Sequence, residues 1–386
     1  MEPANNGKVT CGSWIKRPEN VNWVVLGKSA KSSSPVLQIF SFDSITTSLS
    51  SSPLGSYVLE ESDGDPETIA VHPSGDYFVC STTKGGCKLF ELHGQATNLT
   101  LSAKKLPPLQ DVGPQKCLAF SVDGSRFVTG GVDGRLRILE WPSQRIISDE
   151  RKAHKSFRDM DVSLDSAFLA STSTDGTARI WNLEDGLPLT TLTRTSDEKI
   201  ELCRFSKDGT KPFLFCAVQR GDKAYTAVYD ISTWNKIGYK RLLRKPACIM
   251  SVSLDGKYLA LGSKDGDICV AETKKMVVSH WSRRLHPGTA ITSLEFCPNQ
   301  RVVLTTSNEW EAAVTKLNVP ADWKEWQIYL LLIGLFLASA VAFYIFFQNS
   351  DSFWNFPMGK HQSGRPKFET VFQDPQSDDV FGPVDL

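Results

Sequence analysis

Phe120-Ser121-Val122-Asp123-Gly124, followed by Val132-Asp133-Gly134, reads as the end of one strand, a turn, a second strand and a second turn. The Asp-Gly pairs mark tight turns, because Gly takes positive φ without a steric penalty. The apolar residues alternating between them suit strands. The unit returns as Val162-Ser163-Leu164-Asp165-Ser166 with Thr174-Asp175-Gly176, and as Val252-Ser253-Leu254-Asp255-Gly256 with Lys264-Asp265-Gly266. Looser copies are Val71-His72-Pro73-Ser74-Gly75, Phe205-Ser206-Lys207-Asp208-Gly209 and Phe296-Cys297-Pro298-Asn299. The copies start 42 to 49 residues apart. Four-stranded propeller blades recur every ~40–45 residues. The strands around Trp14, Trp23 to Leu26 and Leu37 to Phe42 add a blade to these six, so seven are expected over residues 10–320. Ring closure is expected to pair the first strand with the last blade, leaving only short edges. An open pair of β-sandwich sheets would not need this period. Hairpin geometry accounts for the turn aspartates more simply than cation binding does.

The copy beginning at residue 154 is the fullest: His154, Ser171 to Ser173, Asp175, and Trp181 in Ala-Arg-Ile-Trp. In WD repeats such side chains bond to one another and pin the blade. His154, Asp175 and Trp181 are therefore expected to be structural.

Ile328 to Phe347 is an unbroken run of twenty uncharged, mostly apolar residues. A helix of that length matches a bilayer's hydrocarbon thickness, and Trp323, Trp326, Phe353 and Trp354 suit its two interfaces. The expected fold is an all-β, seven-bladed WD-repeat propeller followed by a single transmembrane helix. Its divisions are a tail (1–9), a cytosolic propeller (10–320), a juxtamembrane segment (321–327), the span (328–347) and a short disordered lumenal tail (348–386). The N-terminal residues lack a basic start followed by an apolar stretch, so no cleavable signal is expected and the propeller stays cytosolic. Flanking charge (Lys316 and Lys324 before, Lys360, Arg365 and Lys367 after) does not set the orientation. The nine cysteines lie in strand-like segments and form no C-x-x-C pair, so they read as small buried hydrophobes. The sequon Asn98-Leu99-Thr100 would stay unmodified in the cytosol.

Net charge is zero and no basic surplus suggests nucleic acid. The six histidines are scattered. No nucleophile elbow, phosphate-binding loop or paired-carboxylate cluster is present, so no catalytic residue, metal ligand or cofactor is expected. Lys84-Gly85-Gly86 and Gln219-Arg220-Gly221-Asp222-Lys223 are exposed loops available to a partner. On the span, Gly334, Ala338 and Ala342 fall at i, i+4 and i+8, a small-residue stripe open to another helix. Ser339 is the only fully polar residue inside the span, so the chain itself transports nothing.

A membrane-anchored cytosolic propeller with one late apolar helix resembles the endoplasmic-reticulum exchange factors that load GTP onto the small GTPase initiating COPII coats. That resemblance implies a glycine-rich loop followed by Asn in the first blade, which binds potassium and enters the GTPase switches. The corresponding stretch is Gly27-Lys28-Ser29-Ala30-Lys31-Ser32-Ser33-Ser34-Pro35-Val36, with one Gly and no Asn between Asn22 and Asp43. It is expected to be a degraded exchange loop. CGSWIKRPENVNWVVLGKSAKSSSPVLQIFSFD, KAHKSFRDMDVSLDSAFLASTSTDGTARIW, WKEWQIY and NSDSFWNFPMGK further resemble the plant phosphate-transporter traffic facilitators, a divergent branch of that family. The resemblance runs to about Lys360. It implies residence in the endoplasmic-reticulum membrane, plasma-membrane phosphate transporters as cargo, contact with lipid, a possible tie to the coat-GTPase machinery, and no exchange activity.

Overall fold

The computed structural model describes residues 7–17, 22–29, 34–94, 99–110, 112–210, 212–309, 312–319 and 325–348. The runs between turn signals are antiparallel strands that gather, in sequence order, into seven sheets. Blades 2 to 6 span residues 66–104, 115–150, 157–191, 198–240 and 247–282, each with four strands. Blade 1 (9–58) has five strands and blade 7 (291–316) has three, among the described residues. The first strand of each blade is innermost. These seven strands neighbour one another in order around a central channel of about 630 Å³, and the last lies beside the first.

Position within a blade dictates composition. The second strands, such as Tyr258–Ser263 and Val302–Ser307, are buried along their whole length, so they read as nearly continuous apolar or small residues. Outer strands such as Pro188–Thr191 are largely exposed. The core lies between blades. Val128 and Ile138 of blade 3 pack against Phe157, Met160, Leu169 and Trp181, on the facing side of blade 4. Eight of the nine cysteines are buried there and Cys248 is half-buried; burial pushes the Cys11 thiol up to about 12.

Ring closure departs from the expectation. Val9–Lys16 hydrogen-bonds along Asn22–Lys28 inside its own blade and pairs with no strand of blade 7. Closure is made face to face. Trp14, Val24 and Leu26 pack against Cys297, Val302 and Leu304 in one cluster, with Trp14 edge-on to Phe42 at 5.2 Å. Polar links accompany it. Glu295 Oε2 accepts the Trp14 N–H at 2.9 Å and the Ser13 hydroxyl at 2.7 Å, while the Trp14 indole donates to the Glu295 carbonyl at 3.2 Å. A strand exchange is unnecessary because blade 1 starts with an inner strand already buried by its neighbours.

Glycine at the second turn is required by close approach. A Cβ on Gly266 (φ +82°) would sit 1.8 Å from the His286 carbonyl oxygen of the neighbouring loop. No side chain fits there.

The C-terminal helix, Glu325–Gln348, forms a separate compact unit. Trp326–Gln348 is long and apolar enough to cross a membrane. The helix begins inside the segment assigned to the juxtamembrane stretch, so 325–327 belong to it. Of the expected tail at 348–386, Gln348 belongs to the helix and 349–386 lie outside the described residues.

Candidate functional site

Antiparallel strands place the turn between first and second strands at one rim of the propeller and the loop between second and third strands at the other. The 27–36 stretch is the second-to-third loop of blade 1. It shares its rim with Lys84-Gly85-Gly86 and Gln219 to Lys223, the equivalent loops of blades 2 and 5. Lys84, Gly85, Arg220, Gly221, Asp222 and Lys223 are exposed.

The stretch is shorter as a loop than the sequence suggests. Gly27 and Lys28 belong to the strand Asn22–Lys28, and Val36 opens the strand Val36–Asp43. Gly27 pairs with Cys11 on one side and Leu37 on the other. A Cβ there would lie 2.6 Å from Cys11 Sγ and 2.9 Å from Pro66. The single glycine is therefore consumed by packing and lends the loop no freedom. Both flanks are tied down: Ser29 N–H donates to Lys8 O at 2.8 Å, Leu59 N–H donates to Pro35 O at 2.8 Å, and Lys28 Nζ lies over the Phe40 ring at 5.5 Å. The carbonyls of Lys8 and Pro35 each accept one of these bonds. Ala30, Lys31, Ser32 and Ser33 lie outside the described residues.

The expected blade cluster forms in part. Ser171 Oγ lies 2.7 Å from His154 Nε2 and accepts the Trp181 indole N–H at 2.8 Å. Asp175 joins more loosely: its Oδ1 accepts the Thr177 N–H at 2.9 Å and hydroxyl at 2.7 Å within its own turn, and its carboxylate also meets Ser173 and acts on His154 through charge. Burial, together with the Arg179 cation, pushes His154 down to about 4 against the opposing pull of Asp175. His154 is therefore neutral at physiological pH.

A second clasp is not visible in the sequence. Buried His286 meets Thr305 Oγ1 through Nε2 at 2.9 Å and Ser307 Oγ through Nδ1 at 3.2 Å, pinning blade 7 as His154 pins blade 4. Burial lowers its pKa too. The available signal was a His 19 residues before a Thr on the second strand, against 17 between His154 and Ser171. Without a Trp to complete it, that spacing did not stand out.

The channel wall is an electrostatic fastening between blades. Lys116 of blade 3 pairs with Glu67 of blade 2, and Arg158 of blade 4 with Glu201 of blade 5. Asp159 Oδ2 of blade 4 takes Arg204 Nη1 at 2.5 Å and the Cys203 N–H at 3.0 Å, and Asp161 takes the Phe205 N–H at 2.7 Å. Burial raises the Asp159 carboxyl while Arg204 pulls it back. These charges pair across the blade joints, although Glu67 Oε2 has no hydrogen-bond partner among the described residues. Among the described residues no three metal-ligating side chains converge. The arrangement is suited to binding by a rigid platform. Gly334, Ala338 and Ala342 share one exposed face of the helix, by their spacing of four.

Comparison with known proteins agrees with the fold. The WD domain, G-beta repeat model matches residues 111–139 and 147–182. The chain is 66% identical over 368 residues to SEC12-like protein 1 of Arabidopsis thaliana, covering 94% of this chain and 92% of that one. It is 30% identical over 296 residues to SEC12-like protein 2 of the same plant, covering 75% and 74%.

Proposed function

The chain belongs to the SEC12-like family, and from that premise we propose that it is a membrane-anchored accessory protein of the endoplasmic reticulum without exchange activity. It enables phosphate transporters to leave the reticulum for the plasma membrane and thereby supports phosphate uptake. The propeller is the cytosolic part and the helix Glu325–Gln348 is its single span. The carrying observation is the build of the 27–36 stretch. Exchange of the family's kind calls for a flexible, glycine-rich ion cradle and a side-chain amide. Here the one glycine is sealed between Cys11 and Pro66, and the loop has no Asn. The transporter cargo is supported by the long sequence resemblance, and the ion-paired channel favours a platform over a catalyst.

The test is nucleotide exchange on the purified coat GTPase with the full chain in detergent micelles. A variant carrying a glycine-rich, Asn-containing segment at 29–35 runs beside it. The expected rate equals that of the GTPase alone. Acceleration by the native chain overturns the non-catalytic reading and makes this an active exchange factor for coat assembly. Cargo is tested separately. Deletion of the gene should strip phosphate transporters, and not unrelated membrane proteins, from the cell surface.

A further inference from the structure

We infer that the rim opposite the 27–36 stretch docks an extended peptide segment of a partner protein that alternates apolar and basic side chains. On that rim the first-to-second-strand turns ring the channel mouth. Val122, Leu164 and Leu254 occupy the same turn position in blades 3, 4 and 6 and are 41%, 40% and 46% exposed, and exposed Pro73 stands there in blade 2. Consecutive turns touch: His72 Nε2 meets Gly124 O at 3.2 Å, and Asp123 N–H donates to Ser166 Oγ at 3.4 Å. The turns that carry the apolar side chains of blades 2 to 4 are therefore joined in one arc.

The turn does not require them. Ser253 Oγ donates to Asp255 Oδ1 at 2.5 Å and accepts the Tyr258 N–H at 2.9 Å, which closes the loop and leaves Leu254 pointing away from any core. Blade 5 closes the same turn around Lys207, with Ser206 Oγ accepting the Phe213 N–H at 3.0 Å. A polar residue thus folds equally well at this position. Exposed leucine and valine have no structural reason to recur there, and clustered exposed apolar groups mark contact surfaces.

Charge selects the occupant. Beside Val122, Leu164 and Leu254 stands a carboxylate, Asp123, Asp165 or Asp255, with Lys207 at the equivalent position of blade 5, and none of the three enters an ion pair among the described residues. Burial opposes it, yet the Ser121 and Ser125 hydrogen bonds hold Asp123 down at about 2, so it stays ionised. Within the mouth, Glu295 adds a further acid whose partners are neutral. An acidic segment would meet like charge and a purely apolar one would leave the carboxylates desolvated. A basic and apolar strand satisfies both.

The experiment uses the full chain in phosphocholine nanodiscs, with empty nanodiscs as blank. The probe is a fluorescein-labelled nonapeptide alternating Leu and Lys, followed by anisotropy. Saturable binding is expected, at least tenfold weaker for the double variant Leu164→Lys and Leu254→Lys, and weakened by salt. Lys207 makes that variant compatible with the fold, and an unchanged melting temperature checks it. Equal binding by the variant, equal binding of a peptide with Glu replacing Lys, or no saturable binding overturns the proposal. Substitutions at 29–35 leave this binding unchanged, which separates it from the exchange test.

Discussion

Blades 4 and 7 carry the same fastenings made from different parts. Blade 4 is a full four-stranded sheet in the middle of the chain, whereas blade 7 has three described strands and meets a blade 281 residues away in sequence. Each is pinned by a histidine on a hydroxyl, half-buried His154 on Ser171 and buried His286 on Thr305. Each hands a carboxylate to backbone N–H groups of the next inner strand. Asp159 and Asp161 reach Cys203 and Phe205, and Glu295 reaches Trp14. The difference is the cation: Asp159 also holds Arg204, while Glu295 holds only neutral donors. A ring can therefore close without exchanging a strand, provided that the closing joint repeats the chemistry of the continuous ones.

Asp159→Ala should have the largest effect. It strands Arg204 and the Cys203 N–H at the blade 4–5 joint, and breaking a buried pair costs ~3 kcal/mol even at the low end appropriate to partial exposure. Urea unfolding of the full chain should show a lowered midpoint with an unchanged slope. A loss under ~1 kcal/mol would mean that water relieves the pair.

Glu295→Ala comes next. It leaves the Trp14 N–H and Ser13 hydroxyl without their acceptor but strands no charge, so about 2 kcal/mol is expected. Here hydrogen exchange discriminates. If closure depends on this joint, amides of Val9–Lys16 lose protection before those of blade 4. Uniform loss across all blades would break the comparison, because the ring would then open nowhere in particular.

Much of this was legible beforehand. Seven blades followed from turn spacing, because every blade needs an Asp-Gly or equivalent turn at fixed intervals. The closing joint was not. Ser13 and Glu295 are brought together only by the finished ring, and no periodicity links them. Gly27 is a related case. The stretch reads as a degraded loop with a single glycine, and only the positions of Cys11 and Pro66 reveal that this glycine has a packing role. Asp175, expected in the His154 cluster, divides its carboxylate between that cluster and its nearer neighbour Thr177.

The histidine clasps offer a gentler perturbation. His154 sits at about 4, below the ordinary histidine value of 6.5, so the unfolded chain binds the extra proton between those values. Its contribution is intact above pH 6.5, declines as pH falls, and is spent near pH 4. At 1.4 kcal/mol per unit, about 2 kcal/mol should be gone by pH 5. His286 is shifted the same way. Comparing urea midpoints at pH 7 and 5 for the native chain and His154→Gln separates the two. The variant should be less stable at pH 7 and show a shallower decline, the remainder coming from His286 and from His280, which burial also lowers. An unchanged slope would place His154 in an environment no drier than water.

The smallest effect is a gain. In the first turn of blade 4, the position that is Gly124 in blade 3 and Gly256 in blade 6 is Ser166, held at φ +57°. A side chain in that left-handed region costs ~1–3 kcal/mol, whereas glycine adopts it freely but loses more backbone entropy on folding. Its hydroxyl returns a weak bond, accepting the Asp123 N–H at 3.4 Å, and also helps to hold the Asp123 carboxylate ionised. Ser166→Gly should therefore stabilise by about 0.5–1 kcal/mol and raise the melting temperature by a degree or two. If it destabilises instead, the blade 3–4 contact through Ser166 Oγ outweighs backbone strain. The serine would then be a joint in its own right, a third kind beside the carboxylate and the histidine.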